Sequence, residues 1–337
     1  MEKFEESMHF TQTMPANIAL IKYIGKDEGN IPLHPTISLE LPELITTVHL
    51  TYSPLLTKDS WQMHPKAPKL AYKSIERYLQ HLKRVKDVYN FCGNFSVYAY
   101  NNFPMGTGLA SSASSFSALT ECALQAIYKI EKIHEKHQLS QVKKAQLSRL
   151  GSGSSARSFF GPWAVGDGDE VCDASFGQYD NLEHVVLVLS TQQKHISSTQ
   201  AHQLVRTSPI FKERQEKVQQ RHNDLCHALQ HNKWEHAYKL AWEDFIEMHR
   251  MFHTAKPRFS YCNQQVTKVL EHLKTWWEWH DDGPIVTMDA GPNIHLLFRS
   301  DQANMKKHLL KQLGDVHHIV GRKCSPSTDS VKTANHA

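Results

Sequence analysis

The chain has no closely spaced cysteines and no long apolar run. Its six cysteines are scattered, at Cys92, Cys122, Cys172, Cys226, Cys262 and Cys324. Because none belongs to a C-x-x-C pair, neither a zinc ribbon nor a disulfide framework is expected. The longest apolar runs, such as VVLVL at 185–189, fall far short of the about 20 residues that a membrane-spanning helix needs. We therefore expect no membrane partner.

The chain also lacks a block of charge of one sign. Its 38 basic and 34 acidic residues alternate and leave a net charge of +4, so a nucleic acid partner is not expected. The first residues, MEKFEESMHF, are too acidic and too polar for a signal peptide. Together with the scattered cysteines, this composition favours a cytoplasmic location.

Periodicity along the chain predicts an α+β fold. Short runs rich in β-branched and aromatic residues predict strands in the first hundred positions. Helical spacing follows at 67–85, 110–133 and 140–151. After residue 183 the pattern predicts a strand, long polar helices at about 208–253 and 262–279, two further strands and a last helix.

The length of 337 residues exceeds what one hydrophobic core usually organises, so two domains are expected. The change of pattern near 185–195 places the boundary. We expect an N-terminal ATP-binding domain at 1–189 and a C-terminal domain at 190–324. The tail at 325–337, rich in Ser, Thr and Lys, is expected to be disordered.

A glycine loop leads into a helix whose first turn consists of small residues. Gly106 and Gly108 precede Ala110, Ser111 and Ser112. Glycine lets backbone N–H groups approach a bound group, and a helix N-terminus adds unsatisfied donors and partial positive charge. Phosphate suits such a place, and a serine hydroxyl can contact it or its magnesium ion. A capped helix packed closely on a sheet remains the alternative.

Two further segments offer cations to an anionic substrate. PANIALIKYIGK at 15–26 displays Lys22 and Lys26 around Tyr23 at the end of a strand, although such lysines are commonly solvated. GSGSSARSFFG at 151–161 carries Arg157, whose forked donors match a carboxylate or a phosphate. A flexible linker is the alternative for this segment, but the apolar residues after it favour a packed position.

An acidic residue and a pair of histidines are the remaining candidates. Asp289 lies between two apolar strands in IVTMDAGPNIHLLF, where it can position or deprotonate a hydroxyl, or simply form the turn. His249 and His253 lie four residues apart on a predicted helix. No third ligand lies at a short spacing from them, so a metal site there is not expected.

These segments together resemble one family. PMGTGLASSA at 104–113 resembles the phosphate loop of the GHMP kinase superfamily, and the others resemble its mevalonate diphosphate decarboxylase branch. That branch reads N-I-A-x-x-K-Y-W-G-K, N-N-F-P, G-S-G-S-A-C-R-S and T-F-D-A-G-P-N. The matching positions here are 17–26, 101–104, 151–158 and 287–293, with SSTQ at 197–200 and FKER at 211–214 as further matches.

The resemblance implies a fold and a reaction. The fold is an N-terminal domain like domain 2 of ribosomal protein S5 and a ferredoxin-like C-terminal domain, in a homodimer. The reaction is the ATP- and Mg²⁺-dependent decarboxylation of (R)-5-diphosphomevalonate to isopentenyl diphosphate, in the mevalonate pathway of isoprenoid biosynthesis.

The resemblance also implies residue roles. The catalytic residues would be Asp289, Lys22 and Arg157. ATP would be bound by Asn102, Pro104, Met105, Gly106, Thr107, Gly108, Leu109, Ala110, Ser111 and Ser112, with Ser112 also contacting Mg²⁺. The substrate would be bound by Asn17, Lys22, Tyr23, Lys26, Ser152, Gly153, Ser154, Arg157, Ser197, Ser198, Asp289 and Ala290.

The chain departs from the family pattern in places that bear on the substrate. Ile24 replaces the family's Trp, and His34, Pro35, Thr36, Ile37 and Ser38 stand where the family has N-S-S-x-S. The loop Met105 to Gly108 replaces T-A-A-G, and Ala156 replaces Cys. A small-molecule kinase or decarboxylase acting on mevalonate or 5-phosphomevalonate, and a catalytically silent nucleotide-binding protein, are therefore the alternatives.

Overall fold

The computed structural model describes residues 7–65, 70–103, 111–190, 195–314 and 316–322. Over these ranges the α+β class is confirmed, with two sheets and helices packed on them. The glycine loop at 104–110 and the tail from residue 323 onward lie outside the described residues. No helix of the described part is both long and apolar enough to cross a membrane.

The first sheet belongs to the N-terminal half of the chain. Its strand order is β3-β4-β2-β5-β6, and β1 pairs antiparallel with β2 along nearly the whole length of β1. The long β2 can serve several partners because its two ends pair with different strands, β4 at one end and β5 at the other. The strands are β1 (Met8–Ile21), β2 (Thr36–Tyr52), β3 (Ser60–Trp61), β4 (Phe95–Asn101), β5 (Trp163–Asp167) and β6 (Glu170–Ala174).

Three helices accompany this sheet where periodicity predicts them, namely α1 (Tyr72–Asp87), α2 (Ser111–Ile130) and α3 (Gln141–Arg149). The central α2 is buried because most of its positions are small or apolar, and its Phe116, Leu119 and Ala123 join the core formed with α1 and the sheet. The N-terminus of α2 therefore has a fixed place directly after the glycine loop.

The second sheet has the antiparallel order β10-β7-β9-β8. Both faces of its inner strand β9 are covered, since all five residues of β9 are buried, and four of them are apolar. Its strands are β7 (Glu183–Leu187), β8 (Ile285–Met288), β9 (Ile294–Phe298) and β10 (His318–Arg322). The helices of this half are α4 (Ser198–Leu204), α5 (Phe211–Gln230), α6 (Trp234–Thr254), α7 (Gln264–His280) and α8 (Ala303–Gln312).

The polar helical region expected at about 208–253 consists of two helices. The break lies at Asn232, which has a φ of 58°, a left-handed conformation that ends α5 and that asparagine tolerates. Trp234 begins α6, and its indole donates a 2.7 Å hydrogen bond to the carbonyl of Gly283. The helical spacing of apolar residues is similar before and after Asn232, so periodicity predicted one continuous helical region. The turn at Asn232 and the contact of Trp234 divide this region into two helices.

The two sheets share one core. Ile18 and Leu20 of β1 and Val185 and Leu296 of the second sheet belong to the same buried cluster. Strand β7 pairs with β9 and β10 in the second sheet. The expected boundary after residue 189 therefore separates β7 from the rest of its own sheet. The packing of β1 and α6 against β8 brings the end of β1 close to the end of β8.

Candidate active site

The ends of β1 and β8 bring a lysine and an aspartate together. Lys22 follows β1 and Asp289 follows β8. The Lys22 ammonium donates a 2.7 Å hydrogen bond to Oδ1 of Asp289. The Lys22 side chain is 2% exposed and that of Asp289 is 25% exposed, so the carboxylate is the member of the pair that solvent reaches. A carboxylate held in this way can receive the proton of a bound hydroxyl.

Burial and ionic contacts oppose each other at Lys22. Burial lowers the pKa of the Lys22 ammonium, while the Asp289 carboxylate and, more weakly, Asp244 raise it, and the net pKa lies below the ordinary value for lysine. The backbone N–H of Lys22 donates to Oδ2 of the buried Asp244 at 2.8 Å. Both the main chain and the side chain of Lys22 are therefore fixed.

Arg157 is a buried cation beside this pair. Its side chain lies over the ring of Tyr23, at 5.6 Å from the ring centre. Its Nε is buried without a hydrogen-bond partner, and no carboxylate of the described residues forms an ion pair with the guanidinium. Burial lowers the pKa of Arg157, while Tyr23 and Asp289 raise it. A buried charge without a partner is unfavourable, so this position suits a bound anion.

The serine segment at 151–161 is a packed part of the site, and the flexible-linker interpretation is wrong. Residues 155–159 form a short 3-10 helix that is buried throughout. The Asn17 amide donates to Ser158 Oγ at 2.9 Å and to the carbonyl of Ser154 at 3.2 Å, which joins the segment to β1. A Cβ at Gly153 would lie 2.1 Å from the Tyr23 hydroxyl, so only glycine fits there.

Lys26 lies at the open end of the site. Its ammonium donates a 2.6 Å hydrogen bond to Oδ1 of Asn30, a neutral partner. Tyr23 donates to the carbonyl of the same Asn30 at 2.9 Å. Lys26 borders a cavity of about 410 Å³ that is lined by Lys26, Asp27, Glu28, His202, Gln203 and Arg206. A partly exposed ammonium on a neutral partner can take up a phosphate group.

The expected ATP-binding residues are only partly described. Pro104, Met105, Gly106, Thr107, Gly108, Leu109 and Ala110 lie outside the described residues. Ser111 and Ser112 begin α2, and the exposed Ser112 accepts a 3.1 Å hydrogen bond from Ser152, which links the helix to the serine segment. The Asn102 amide is engaged elsewhere, because it bonds the main chain of Glu43 and Ile45 in β2.

Other expected site residues have contacts that do not involve the lysine–aspartate pair. Ser197 and Ser198 are exposed at the start of α4, where the Ser197 hydroxyl accepts from the backbone N–H of Gln200 in a capping box. Ala290 packs against an apolar cluster that includes Ile24 and Met248. The contacts of these positions with a substrate stay a prediction.

The two histidines four residues apart are placed differently. His249 is buried and His253 is exposed. No group of three or more potential metal-ligating side chains occurs among the residues described here.

Two positions near the site that differ from the family pattern, Ile24 and His34, contact each other. Ile24 is buried among residues of α4 and α6. The His34 ring lies 3.1 Å from the carbonyl of Ile24 and 3.0 Å from that of Pro35. Burial lowers the pKa of His34. A histidine in the second segment therefore fixes the main chain at the position where the family has Trp.

Sequence reasoning missed a buried ionic cluster behind Lys22. Arg214 donates to both oxygens of Asp244, at 2.9 and 3.1 Å, and to Glu247 at 2.9 Å. Arg221 donates to Asp244 at 3.2 Å and to Glu247 at 2.7 Å. The sequence did contain a signal, since Arg214 and Arg221 lie seven apart and Asp244 and Glu247 three apart, each pair on one helical face.

It also missed Arg77 of α1. The guanidinium of Arg77 donates to the carbonyl of Gly151 at 2.5 Å and lies over the Phe116 ring at 4.8 Å from its centre. The arginine thus fixes the start of the serine segment from the side of the first helix.

The fold is that of the GHMP kinase superfamily, as comparison with solved structures shows. A mevalonate diphosphate decarboxylase from Legionella pneumophila is 41% identical, with a TM-score of 0.86 over 93% of this chain and 100% of that one. The enzyme from Staphylococcus aureus is 26% identical, with a TM-score of 0.83 over 94% of this chain and 96% of that one.

Sequence comparison agrees with the structural likeness. The diphosphomevalonate decarboxylase-like N-terminal domain matches residues 14–175, and the mevalonate 5-diphosphate decarboxylase C-terminal domain matches residues 184–335. The diphosphomevalonate decarboxylase of Candida albicans is 29% identical over 92% of this chain and 89% of that protein. The chain belongs to the diphosphomevalonate decarboxylase family.

Proposed function

We propose that this protein catalyses the ATP-dependent decarboxylation of (R)-5-diphosphomevalonate to isopentenyl diphosphate, ADP, phosphate and CO₂, a step of isoprenoid biosynthesis. One observation carries the proposal: the carboxylate of Asp289, held by Lys22 at 2.7 Å, lies near the buried Arg157, whose guanidinium forms no ion pair with a carboxylate of the described residues. Membership in the family supports the same reaction.

The reaction begins at the tertiary C3 hydroxyl. Asp289 orients this hydroxyl and accepts its proton while the oxygen attacks the γ-phosphorus of ATP and the bond to the bridging oxygen breaks, releasing ADP. Lys22 keeps the carboxylate in place. The C3 oxygen, a poor leaving group as hydroxide, becomes a good one as phosphate.

Elimination and loss of CO₂ then form the alkene. The C3–O bond breaks with its electron pair on the departing phosphate, and positive charge develops at C3. The C–C bond to the substrate carboxylate supplies the electron pair of the new double bond, and CO₂ leaves. Arg157 holds that carboxylate until it departs, because its forked donors match two oxygens.

The remaining charged and polar groups would fix the two phosphate-bearing ligands. The substrate diphosphate would be bound at the open end of the site, by Tyr23, Lys26, Ser152 and Ser154. ATP would lie against the start of α2, where the hydroxyl oxygen of Ser112 could be a ligand of Mg²⁺. Magnesium would neutralise phosphate charge there.

Three wider expectations belong to this proposal. The chain would form an N-terminal ATP-binding and a C-terminal domain, and because β7 pairs in the second sheet, the boundary would precede Glu183 instead of following residue 189. The protein would be cytoplasmic and a homodimer, as the family resemblance implies.

The test is a stoichiometric assay of the purified protein with ATP, Mg²⁺ and diphosphomevalonate. CO₂ and ADP should appear in equal amounts. ADP without CO₂ would identify a kinase, and neither product would identify a silent nucleotide-binding protein. Parallel reactions with mevalonate and 5-phosphomevalonate determine whether the changes at Ile24 and His34 altered the substrate.

A further inference from the structure

Helix α6 contacts the main chain of both members of the lysine–aspartate pair. Asp244 accepts the backbone N–H of Lys22 at 2.8 Å through Oδ2. Five residues further on, Nε2 of His249 lies 3.2 Å from the backbone carbonyl of Asp289. Both side chains are buried, Asp244 at 0% and His249 at 5% exposure. One helix therefore fixes two main-chain positions that stand 267 residues apart.

The hydrogens of the His249 contacts follow from its partners. A carbonyl oxygen only accepts, so Nε2 carries the hydrogen in the contact with Asp289. Nδ1 then accepts, and the Cys262 thiol lies 3.5 Å away as the donor. Burial lowers the pKa of His249 to about 4, and burial raises the pKa of Cys262 to about 11. A neutral imidazole and a protonated thiol agree with this arrangement at neutral pH.

The carboxylate of Asp244 is kept charged by its own partners. Burial raises the pKa of Asp244, but Arg214, the Lys22 N–H and Arg221 together bring it below the usual range. Arg214 holds both carboxylate oxygens, and Glu247 balances the second guanidinium. An ionised acceptor makes a stronger hydrogen bond with the backbone of Lys22 than a neutral one would.

We propose that Asp244 and His249, with Cys262 behind His249, are positioning residues that set the distance between the Lys22 ammonium and the Asp289 carboxylate. The inference rests on the proposed function, in which this pair receives the C3 proton. Contacts through the main chain suit this task because they leave both reacting side chains available. A displacement of about 1 Å at a reacting group costs up to about 100-fold in rate.

A purely structural role is the competing explanation, since buried histidines commonly satisfy core hydrogen bonds. The two explanations differ in what a variant changes. Loss of a positioning contact lowers kcat and leaves KM for ATP unchanged, because the nucleotide is bound elsewhere. Loss of a core contact lowers thermal stability and leaves kcat of the folded enzyme unchanged.

The first test compares His249→Leu with His249→Gln. Leucine removes the donor, whereas the glutamine amide can place an N–H near the Nε2 position. We expect kcat of the leucine variant to fall about 10- to 100-fold, with KM for ATP within about twofold of the wild-type value, and the glutamine variant to recover most of kcat. The exposed His253 on the same helix provides the control, and His253→Leu should leave kcat unchanged.

The second test examines Cys262 in the same way. Cys262→Ser retains a donor for Nδ1 of His249, and Cys262→Ala removes it. We expect kcat of the alanine variant to fall about two- to fivefold and that of the serine variant to stay near the wild-type value. Equal kcat in the two variants would remove Cys262 from the proposal.

A crystallographic comparison makes the test independent of activity. In His249→Leu the distance from Lys22 Nζ to Asp289 Oδ1 should exceed about 3.5 Å, beyond hydrogen-bond range. If the wild-type protein lacks decarboxylase activity, the proposed function fails, and this distance still decides the positioning role. A variant that keeps the 2.7 Å distance, or a normal kcat with only a lower Tm, overturns the inference.

Discussion

The two lysines at the end of β1 lie four residues apart and have different environments. Lys22 is 1% exposed and is paired with the carboxylate of Asp289. Lys26 is partly exposed and is hydrogen-bonded to the neutral amide of Asn30. A lysine is therefore buried and ion-paired at one end of the site, whereas the other lysine is partly exposed at the open end.

This difference separates two tasks between the two lysines. Ionic partners and main-chain contacts from α6 fix the geometry at the Lys22 end, as a reacting group requires. At the Lys26 end an ammonium can exchange its amide partner for a phosphate oxygen when a ligand arrives. Arg157 is buried like Lys22, but its guanidinium forms no ion pair with a carboxylate of the described residues.

The largest effect is expected at the reacting end. Asp289→Asn keeps the size of the side chain but removes the base, so kcat should fall by at least about 1,000-fold. The Kd for ATP should remain within about threefold, because the proposed contact of Asp289 is with the substrate hydroxyl and not with the nucleotide. Rapid-quench kinetics and equilibrium nucleotide titration measure the two quantities. Activity within tenfold of the wild-type value would disprove the role of Asp289.

A smaller effect is expected at Arg157. Arg157→Gln removes the buried cation that would hold the substrate carboxylate, and KM for diphosphomevalonate should rise about 30-fold. The Kd for ATP should be unchanged. The matched control is Arg299→Gln, which alters an arginine whose ion pairs are with Asp282 and Asp301. Equal damage to nucleotide and substrate binding would contradict the placement of Arg157.

The open end should respond in binding alone. Lys26→Met removes one partly exposed phosphate contact, and KM for the substrate should rise about tenfold with kcat nearly retained. Titrations with substrate analogues that carry one or two phosphates would sharpen the assignment, since only the longer ligand should lose affinity. A drop in kcat as large as that of Asp289→Asn would mean that the two ends are not distinct.

The smallest effect concerns the pH dependence of the free energy of unfolding, through His81, which lies next to Gly151 of the serine segment. His81 of α1 is buried and its Nε2 lies 2.8 Å from the hydroxyl of Thr120, and burial lowers the pKa of His81 to about 3. Unfolded His81 binds a proton below about pH 6.5 while the folded ring does not, so stability is full above that pH and is lost as the pH falls. Urea unfolding from pH 7 to 4 should therefore show a steeper loss for the wild type than for His81→Gln, by up to about 1.4 kcal/mol per pH unit. Parallel curves would contradict this.

Some features of the site could be predicted from the sequence because they are local. The strand before Lys22 and the turn at Asp289 follow from residue types in short windows. The α+β class followed from the order of these windows. The pairing of Arg214 and Asp244 was not predicted, because the spacing within each helix shows which charges share a face but not that the two helices pack against each other. The break at Asn232 escaped prediction for the same reason.

The sequence by itself determined which residue types were available and where most strands, helices and turns form, since propensity and periodicity act over a few residues. Only the tertiary structure decided that Lys22 and Asp289 meet at 2.7 Å, that α6 fixes the main chain of both, and that Arg157 is buried beside them. These contacts join residues that are far apart along the chain. Their formation depends on how the two sheets pack on one core, and no short window of sequence contains this information.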